Sequence, residues 1–305
     1  MKILIVAEKK KQVKPYLEAF ANRGIDATYL RVSKITLVSK TNKTTIKSLG
    51  EEIPIYDAVF IQTRTSLAPF IEPLLEELET LNSYVTTKKG SYYIGWNEAY
   101  QFVTLALAQI PTPKTITTAS AKNIEKVSKK ISYPVSVKTF LGKNAQQSQI
   151  IHSASELNSF VRSIKTDIDA FLIREFFEGD VISSAVIGNK LFSVKRKYME
   201  DKVTEIRNGL FYKLSEHDHE TVVHAAKACG YDIARVDIVK GHVIKVDPLI
   251  ELEDFNLACS DNIEEYVAEF LTDKATKHAH KPKASADFLG IRKFLQKTPL
   301  KDVFK

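Results

Sequence analysis

The stretch "YPVSVKTFLGKNAQQSQII", residues 133–151, carries a lysine at the end of one apolar strand and a short polar loop leading into another. Val135 and Val137 alternate with Ser136 and Lys138, Gly142–Ser148 reads as the loop, and Ile150-Ile151 resumes the apolar pattern. A strand–loop–strand unit of this kind can close a lysine and backbone N–H groups over a nucleotide. It does so most readily where glycines let the backbone approach the phosphates, and this loop holds only Gly142. The flanking segments therefore decide how the unit is read.

Upstream, Asn97–Gln109 has a helical pattern that ends in "IPTPKT", where Pro111 and Pro113 force an extended chain. A serine-capped helix from Ser120 leads into the lysine strand. Downstream, "SASELNSFVRSI" reads as a second helix capped by Ser153 or Ser155, with Leu157, Phe160, Val161 and Ile164 on one face. A strand "AFLIREFF" follows, then a hairpin "VISSAVIGNKLFSVKRK" turning at Gly188-Asn189. A helix over His217–Cys229, a hairpin "ARVDIVKGHVIKVDP" turning at Lys240-Gly241, and a last helix over Asn262–Leu271 complete the body. Nearer the N-terminus, strands at Lys2–Ala7, Ala27–Val32 and Asp57–Gln62 alternate with helices at Lys11–Arg23 and Leu67–Leu81, the pattern of a parallel α/β layer. No GxGxxG accompanies it, so a dinucleotide site is not implied.

Composition sets outer bounds. The 305 residues, 44% hydrophobic and 27% charged, suffice for two or three subdomains with a buried core. No apolar run reaches membrane-spanning length, and the short apolar start at Ile3–Ala7 reads as a first strand. Two cysteines, Cys229 and Cys259, without CxxC spacing point to a reducing, cytoplasmic setting. The net charge of +7 is uneven: residues 272–305 hold nine Lys/Arg against three Asp/Glu, leaving 35 basic and 34 acidic residues elsewhere. A basic tail is implied, and nucleic-acid binding by the body is not.

In this order the elements resemble the ATP-grasp superfamily, and within it the RimK-type amino-acid ligases, which join a carboxylate to an amine through an acyl phosphate. The pieces that carry the resemblance are "IPTPKT", "YPVSVKTFLG", "FLIREFFEGD" and "CGYDIARVDIV", within a match spanning residues 1–271. The resemblance implies an ATP-grasp fold of the α/β and α+β class, preceded by a Rossmann-like α/β domain over residues 1–95. It implies a grasp domain over 96–271, with a lid subdomain near 115–170 and a larger β-rich subdomain near 171–271. It also implies ATP and Mg²⁺ as cofactors and a small-molecule or peptide carboxylate and amine as substrates.

By the same resemblance Lys138 and Gly142 contact the nucleotide phosphates. Arg174, Glu175, Phe176 and Phe177 form the linker that reads the adenine, and Glu178 or Asp180 lies near the ribose. Arg196 and Lys197 align with catalytic cations that face the transferred phosphoryl group. Asp237 and Asp247 align with metal-binding acids. Several positions depart from the pattern. The Asp-Lys pair expected before "IPTP" reads Asn97-Glu98, lid glycines read Ala145 and Gln147, and an expected arginine reads Ile182. The Glu-x-Asn metal motif falls on Lys245-x-Asp247 or on Asp247-x-Leu249, and either register lacks an acid; Glu251, Glu253 and Asp254 follow closely.

These departures leave two readings of Asp237, metal ligation or a salt bridge to Lys245 across its hairpin. They leave two main readings of the protein as well: an ATP-dependent carboxylate–amine ligase, or a degenerate relative that binds nucleotide or a partner as a regulatory subunit. RNA or ribosome association through the tail is a third, weaker reading. For Lys138 the bland alternative is a strand-end lysine pointing to water, and for Arg64 a surface arginine rather than one reaching a substrate carboxylate. His217, His219 and His224 are read as exposed polar residues, and His278 and His280 as part of a solvated tail. Trp96, Tyr92, Tyr93 and Tyr100 are read as a packed aromatic cluster. Residues 272–284 read as a linker. Phe288, Ile291 and Leu295 then form the stripe of a short basic amphipathic helix suited to docking on the body or on a protein partner. A homo-oligomer is compatible with this reading; a membrane span and nucleic acid are not expected.

Overall fold

The computed structural model describes residues 1–41, 43–127, 129–141, 145–163, 170–197 and 209–279. The chain begins with β1 (Lys2–Ala7), α1 (Lys10–Asn22), β2 (Asp26–Arg31), β3 (Ile35–Lys40), β4 (Lys43–Ser48), β5 (Glu51–Glu52), β6 (Ala58–Gln62), α2 (Ala68–Thr80) and β7 (Tyr84–Val85). It continues through α3 (Ser91–Trp96), α4 (Glu98–Leu107), β8 (Thr115–Thr118), α5 (Ala121–Val127), β9 (Val135–Leu141), β10 (Ala145–Ile151), α6 (Ala154–Ser163) and β11 (Ala170–Glu175). The remainder is β12 (Asp180–Ile187), β13 (Lys190–Lys197), β14 (Leu210–Phe211), α7 (Glu216–Ala228), β15 (Ile233–Val239), β16 (His242–Asp247), α8 (Glu253–Cys259) and α9 (Ile263–Ala279).

Among the described residues these strands form four sheets. The first, in order β2-β1-β6-β7, is wholly parallel. Its central strands read as unbroken apolar runs because both faces are covered: Ile3–Ala7 and Ala58–Gln62 are buried residue after residue. One face packs on α1 through Val13, Tyr16 and Phe20, the other on α2 through Ile71, Leu74, Leu75 and Leu78. A small antiparallel meander, β3-β4-β5, lies between the second and third strands of this layer. It was left unassigned from the sequence, although its alternating Ile, Leu, Val and Thr residues are a strand signal.

The third sheet is antiparallel, in order β10-β9-β11-β8. The expected loop over 142–148 is shorter than the sequence suggests: Ala145–Ser148 already belong to β10, paired with β9 from Leu141 to Lys138. Ladder bonds to a neighbouring strand satisfy that backbone, which a seven-residue loop would leave to water. Gly142 lies outside the described residues.

The fourth sheet is antiparallel, in order β14-β13-β12-β15-β16. Its two hairpins turn where expected. Gly188 sits at φ +63, and an added Cβ would meet the Phe270 ring at 2.5 Å. Lys240 and Gly241 both have positive φ, the two-residue turn whose twist suits a hairpin. One face of this sheet packs on α7 through Val222, Ala225 and Ala226. The other shares a core with α8, α9 and the first sheet, where Phe192, Val194, Phe255, Val267 and Leu271 join Ile3, Ile5 and Phe20.

The helix α9 runs to Ala279, eight residues past the expected stop at Leu271. Ala275 is buried in the shared core and an Asp273–Lys277 pair at i,i+4 spacing supports the exposed side, so polar residues read as linker continue the helix. Residues 280–305, with the expected amphipathic helix and His280, lie outside the described residues. No helix among those described is long and apolar enough to cross a membrane.

The edge of β16 is held by two buried glutamines rather than by another strand. Gln101 of α4 donates to Val246 O at 2.8 Å and accepts from Val246 N at 3.0 Å. Gln62, at the end of β6, donates to Pro248 O at 3.0 Å and accepts from Ile250 N at 3.3 Å. Each carboxamide supplies the donor–acceptor pair that a neighbouring backbone would supply, and this fixes the strand bearing Lys245 and Asp247 against both α4 and the first sheet.

Candidate active site

Strand alternation determines which side chains leave the third sheet. Val135 and Val137 of β9 and Phe171 and Ile173 of β11 point into a core with Ile124, Ile131, Ile151 and Leu157. Their alternates Lys138 and Arg174 therefore share the opposite face. Lys138 stands across from Leu172, two residues from Arg174, so the two cations are diagonal neighbours. Glu98, in the first turn of α4, meets both: Lys138 Nζ and Arg174 Nη1 each donate to its carboxylate, the latter at 2.8 Å. Asn97 caps this helix by accepting from Tyr100 N at 3.2 Å, which orients the turn carrying Glu98. Arg174 also donates to Ile244 O of β16 at 3.2 Å and lies 5.0 Å from the Phe102 ring centroid, bridging the two antiparallel sheets. Burial alone would raise the Glu98 carboxyl, but Arg174 and Lys138 outweigh it and hold it below the usual carboxylate range.

The second group lies on one face of the fourth sheet. Register places Arg196 opposite Val181, Ser183 opposite both Val194 and Asp237, Asp237 opposite Lys245, and Arg235 opposite Asp247. Directly opposed residues share a face, so Arg196, Ser183, Asp237, Arg235, Lys245 and Asp247 form one polar surface. Asp237 is 1% exposed and neither of its oxygens has a hydrogen-bond partner. Among the described residues it is ion-paired with Arg235, whose Nε lies at 3.4 Å without hydrogen-bond geometry. Arg235 Nη2 also approaches Asp247 at 3.9 Å, and Lys245 Nζ pairs with Asp247 at 3.1 Å. Asp237 pulls the Arg235 guanidinium to hold its proton more tightly than usual. Arg196 is 9% exposed and lies over Phe255 at 5.1 Å; none of its three guanidinium nitrogens has a hydrogen-bond partner. Burial lowers it to about 10 against the attraction of Asp237. Buried donors and acceptors without protein partners are costly unless something else satisfies them, which makes this face a candidate site.

Residues 96–270, more than half the chain and including both groups, match the RimK-like ATP-grasp domain. The chain belongs to the RimK-like ATP-grasp family. ATP-dependent ligation is the chemistry of that class. A curated relative named probable alpha-L-glutamate ligase, from Psychromonas ingrahamii, is 24% identical over 298 residues, covering 93% of this chain and 98% of its own. Among solved structures, the ATP-grasp ligase PsnB, complexed with a phosphomimetic variant of minimal precursor, Mg and ADP, superposes with a TM-score of 0.66 at 13% identity, covering 90% of this chain and 98% of that one. The macrocyclase MdnC from Microcystis aeruginosa, bound with precursor peptide MdnA, gives 0.65 at 11% identity, covering 90% and 99%. At these identities the superpositions establish the ATP-grasp fold.

The expected magnesium is poorly matched by the donors this ATP-grasp chain presents. Mg²⁺ takes hard, anionic oxygens in an octahedral arrangement. The aligned acids are Asp237 and Asp247, and both face fixed cations. No group of three or more His, Cys, Asp or Glu suited to a metal exists among the described residues.

The structure distributes the remaining expected site residues unevenly. The Asp237–Lys245 salt bridge is absent: the two are opposed in register, but Lys245 turns toward Asp247 and solvent, and Arg235 takes its place at Asp237. In the linker, Glu175 N donates to Lys114 O at 3.0 Å and Phe176 N to Pro134 O at 2.9 Å. Phe177 packs on His242 at 4.7 Å between centroids, and Glu178 is exposed. Asp180 is paired with Lys195 at 2.6 Å. The side chain of Lys197 lies outside what is described. Arg64 is paired with Glu8 at 2.8 Å at the mouth of the parallel sheet. The aromatic cluster is not a packed unit: Tyr92 is buried and bonded to Thr63, whereas Trp96, Tyr93 and Tyr100 are exposed, because α3 and α4 turn different faces to the core. Two residues at the centre of these clusters were given no site role from the sequence. Glu98 stood out as a charge reversal without a partner, and Arg235, two residues before Asp237 on the same face, had the alternation signal but no assigned role.

Proposed function

We propose that this chain is an ATP-dependent carboxylate–amine ligase that activates the carboxylate of an amino acid or peptide. The observation that carries the reading is the RimK-like ATP-grasp match over 96–270, within which Lys138, Arg174, Arg196, Asp237 and Asp247 all fall. The substrate class is supported by the relative named probable alpha-L-glutamate ligase and by the structural neighbours complexed with peptide precursors.

In the proposed reaction a carboxylate oxygen of the substrate attacks the γ-phosphorus of ATP, ADP departs, and an acyl phosphate forms. The amine nitrogen then attacks the acyl carbon, phosphate leaves, and the nitrogen loses a proton to give the amide. Lys138 meets the nucleotide phosphates as a compact point charge once they displace Glu98 from it. The linker Arg174–Phe177 and the neighbouring Glu178 and Asp180 take the nucleoside end. Arg196 offers three unpartnered nitrogens to the phosphoryl oxygens, where positioned cations stabilise charge that develops during transfer. No step is routed through magnesium, since the acids at its expected position are occupied by Arg235 and Lys245.

The test is ADP release by the full chain over a panel of amino acids and acidic peptides, with ATP affinity measured in parallel by calorimetry. ADP release that requires one acceptor, with amide formation seen by mass spectrometry, is the expected result. ATP binding without turnover on any acceptor would overturn ligation, and normal ATP affinity in Lys138→Ala would overturn the phosphate assignment.

A further inference from the structure

We propose that this chain binds nucleotide phosphates without a divalent cation, with Arg235 standing as a fixed positive charge between Asp237 and Asp247 and Lys245 paired with Asp247 at the outer side. The proposal rests on the nucleotide-binding reading above. Arg235 reaches both carboxylates, with Nε 3.4 Å from Asp237 and Nη2 3.9 Å from Asp247, and Lys245 Nζ lies 3.1 Å from Asp247. A metal bridging the two acids would need the space the Arg235 guanidinium fills, and would sit against that charge and, on the Asp247 side, against Lys245. A guanidinium stays charged at any pH the protein tolerates, so Arg235 does not yield its place by losing a proton.

The same face is prepared for an anion. Arg196 is nine-tenths buried, and its three nitrogens lack hydrogen-bond partners. Phosphoryl oxygens are the acceptors that a planar fork of charged donors matches best. Among the described residues, Arg196, Arg235 and Lys245 share this surface with the acids Asp237 and Asp247. Glu251 and Asp254 add their negative charge to the field at Arg235 and Arg196 respectively. Neither joins Asp237 and Asp247 in a described group able to hold an ion. The polar surface therefore has the charge order of a metal–phosphate site, with side chains in place of the metal.

The experiment uses the full chain and two probes. ATP affinity is measured by calorimetry in excess EDTA and again in excess Mg²⁺. Mn²⁺ binding to the nucleotide-free protein is read from the electron paramagnetic resonance signal of the free ion. The expected result is an ATP affinity that changes by less than about threefold between the two conditions, with the Mn²⁺ signal undiminished by protein. ATP binding that is more than about tenfold weaker in EDTA would overturn the proposal and leave the ligase reading standing. No ATP binding in either condition would overturn both. Loss of the Mn²⁺ signal in wild-type protein would also overturn it, by showing that the carboxylates are open to a metal. The double variant Arg235→Ala, Lys245→Glu removes both cations and adds an acid; if folded by circular dichroism, it is expected to capture Mn²⁺. A folded double variant that leaves Mn²⁺ free would refute the assignment of these two residues, and the wild-type measurements decide the matter should it not fold.

Discussion

Replacing Glu98 with glutamine keeps the shape of the residue that joins Lys138 to Arg174 and removes only its charge. Two effects of opposite sign follow. Lys138, Arg174 and Glu98 are 24%, 12% and 21% exposed, so the cluster lies between a surface pair and a buried one. Exposed pairs contribute about 0–1 kcal/mol and loss of one partner from a buried pair costs about 3–5 kcal/mol, which brackets the cost here at about 1–2 kcal/mol. For a domain of this size that lowers the melting midpoint by roughly 2–4 °C per kcal/mol. Nucleotide affinity moves the other way. A unit charge 4 Å from a phosphate oxygen opposes it by about 1 kcal/mol in water and about 4 kcal/mol at a protein surface. Phosphates that no longer compete with Glu98 for Lys138 gain about 1–2 kcal/mol, a factor of roughly 5–30 in ATP affinity. Calorimetric titration of ATP into wild type, Glu98→Gln and Glu98→Gln with Lys138→Ala measures it, with the gain expected to vanish in the double variant. Equal or weaker binding by a folded Glu98→Gln protein would refute the reasoning, because the phosphates would then land away from Lys138. The pH dependence has a definite sign. Arg174 and Lys138 hold the Glu98 carboxyl below its ordinary 4.5, so its contribution is complete above that pH and is lost as pH falls through the depressed folded value. The difference in urea midpoint between wild type and Glu98→Gln, open at neutral pH, is therefore expected to narrow below that value.

Two further outcomes follow from packing. Gln101→Ala leaves the buried N–H and C=O of Val246 without partners, and is expected to cost about 2–4 kcal/mol in urea unfolding, where a surface glutamine would cost almost nothing. The Cys229 thiol, wholly buried in the α7 core and pushed up to about 12 by that burial, is expected to resist Ellman's reagent until the protein unfolds. The partly exposed Cys259 should react in the native state, and rapid titration of both thiols would contradict the placement of α7.

Much of the site was legible because strand alternation is a local rule. Val135 and Val137 facing inward oblige Lys138 to face outward, and the same count along Phe171, Ile173 and Arg174 delivers a second cation to that surface. Alternation through Val236 likewise sends Asp237 to the face opposite α7. Element order was enough for the ATP-grasp match, and the two hairpin turns were announced by Gly188 and Gly241, glycines at the positive φ that such turns need. The last two turns of α9 were missed because burial of Ala275, rather than residue type, stabilises them, whereas the meander at β3–β5 carries a strand signal in its β-branched residues.

Which charge meets which was settled by tertiary packing alone. Glu98 is 40 residues from Lys138 and 76 from Arg174, and they meet only because α4 docks where two antiparallel sheets converge. Lys245 stands opposite Asp237 in the ladder, the arrangement the sequence by itself supports, yet the long Arg235 side chain reaches forward along its own strand and takes the buried carboxylate. Register is local information, but the choice between two cations for one buried acid depends on the space left by neighbouring strands. In this chain that space puts Arg235, rather than Lys245, beside Asp237.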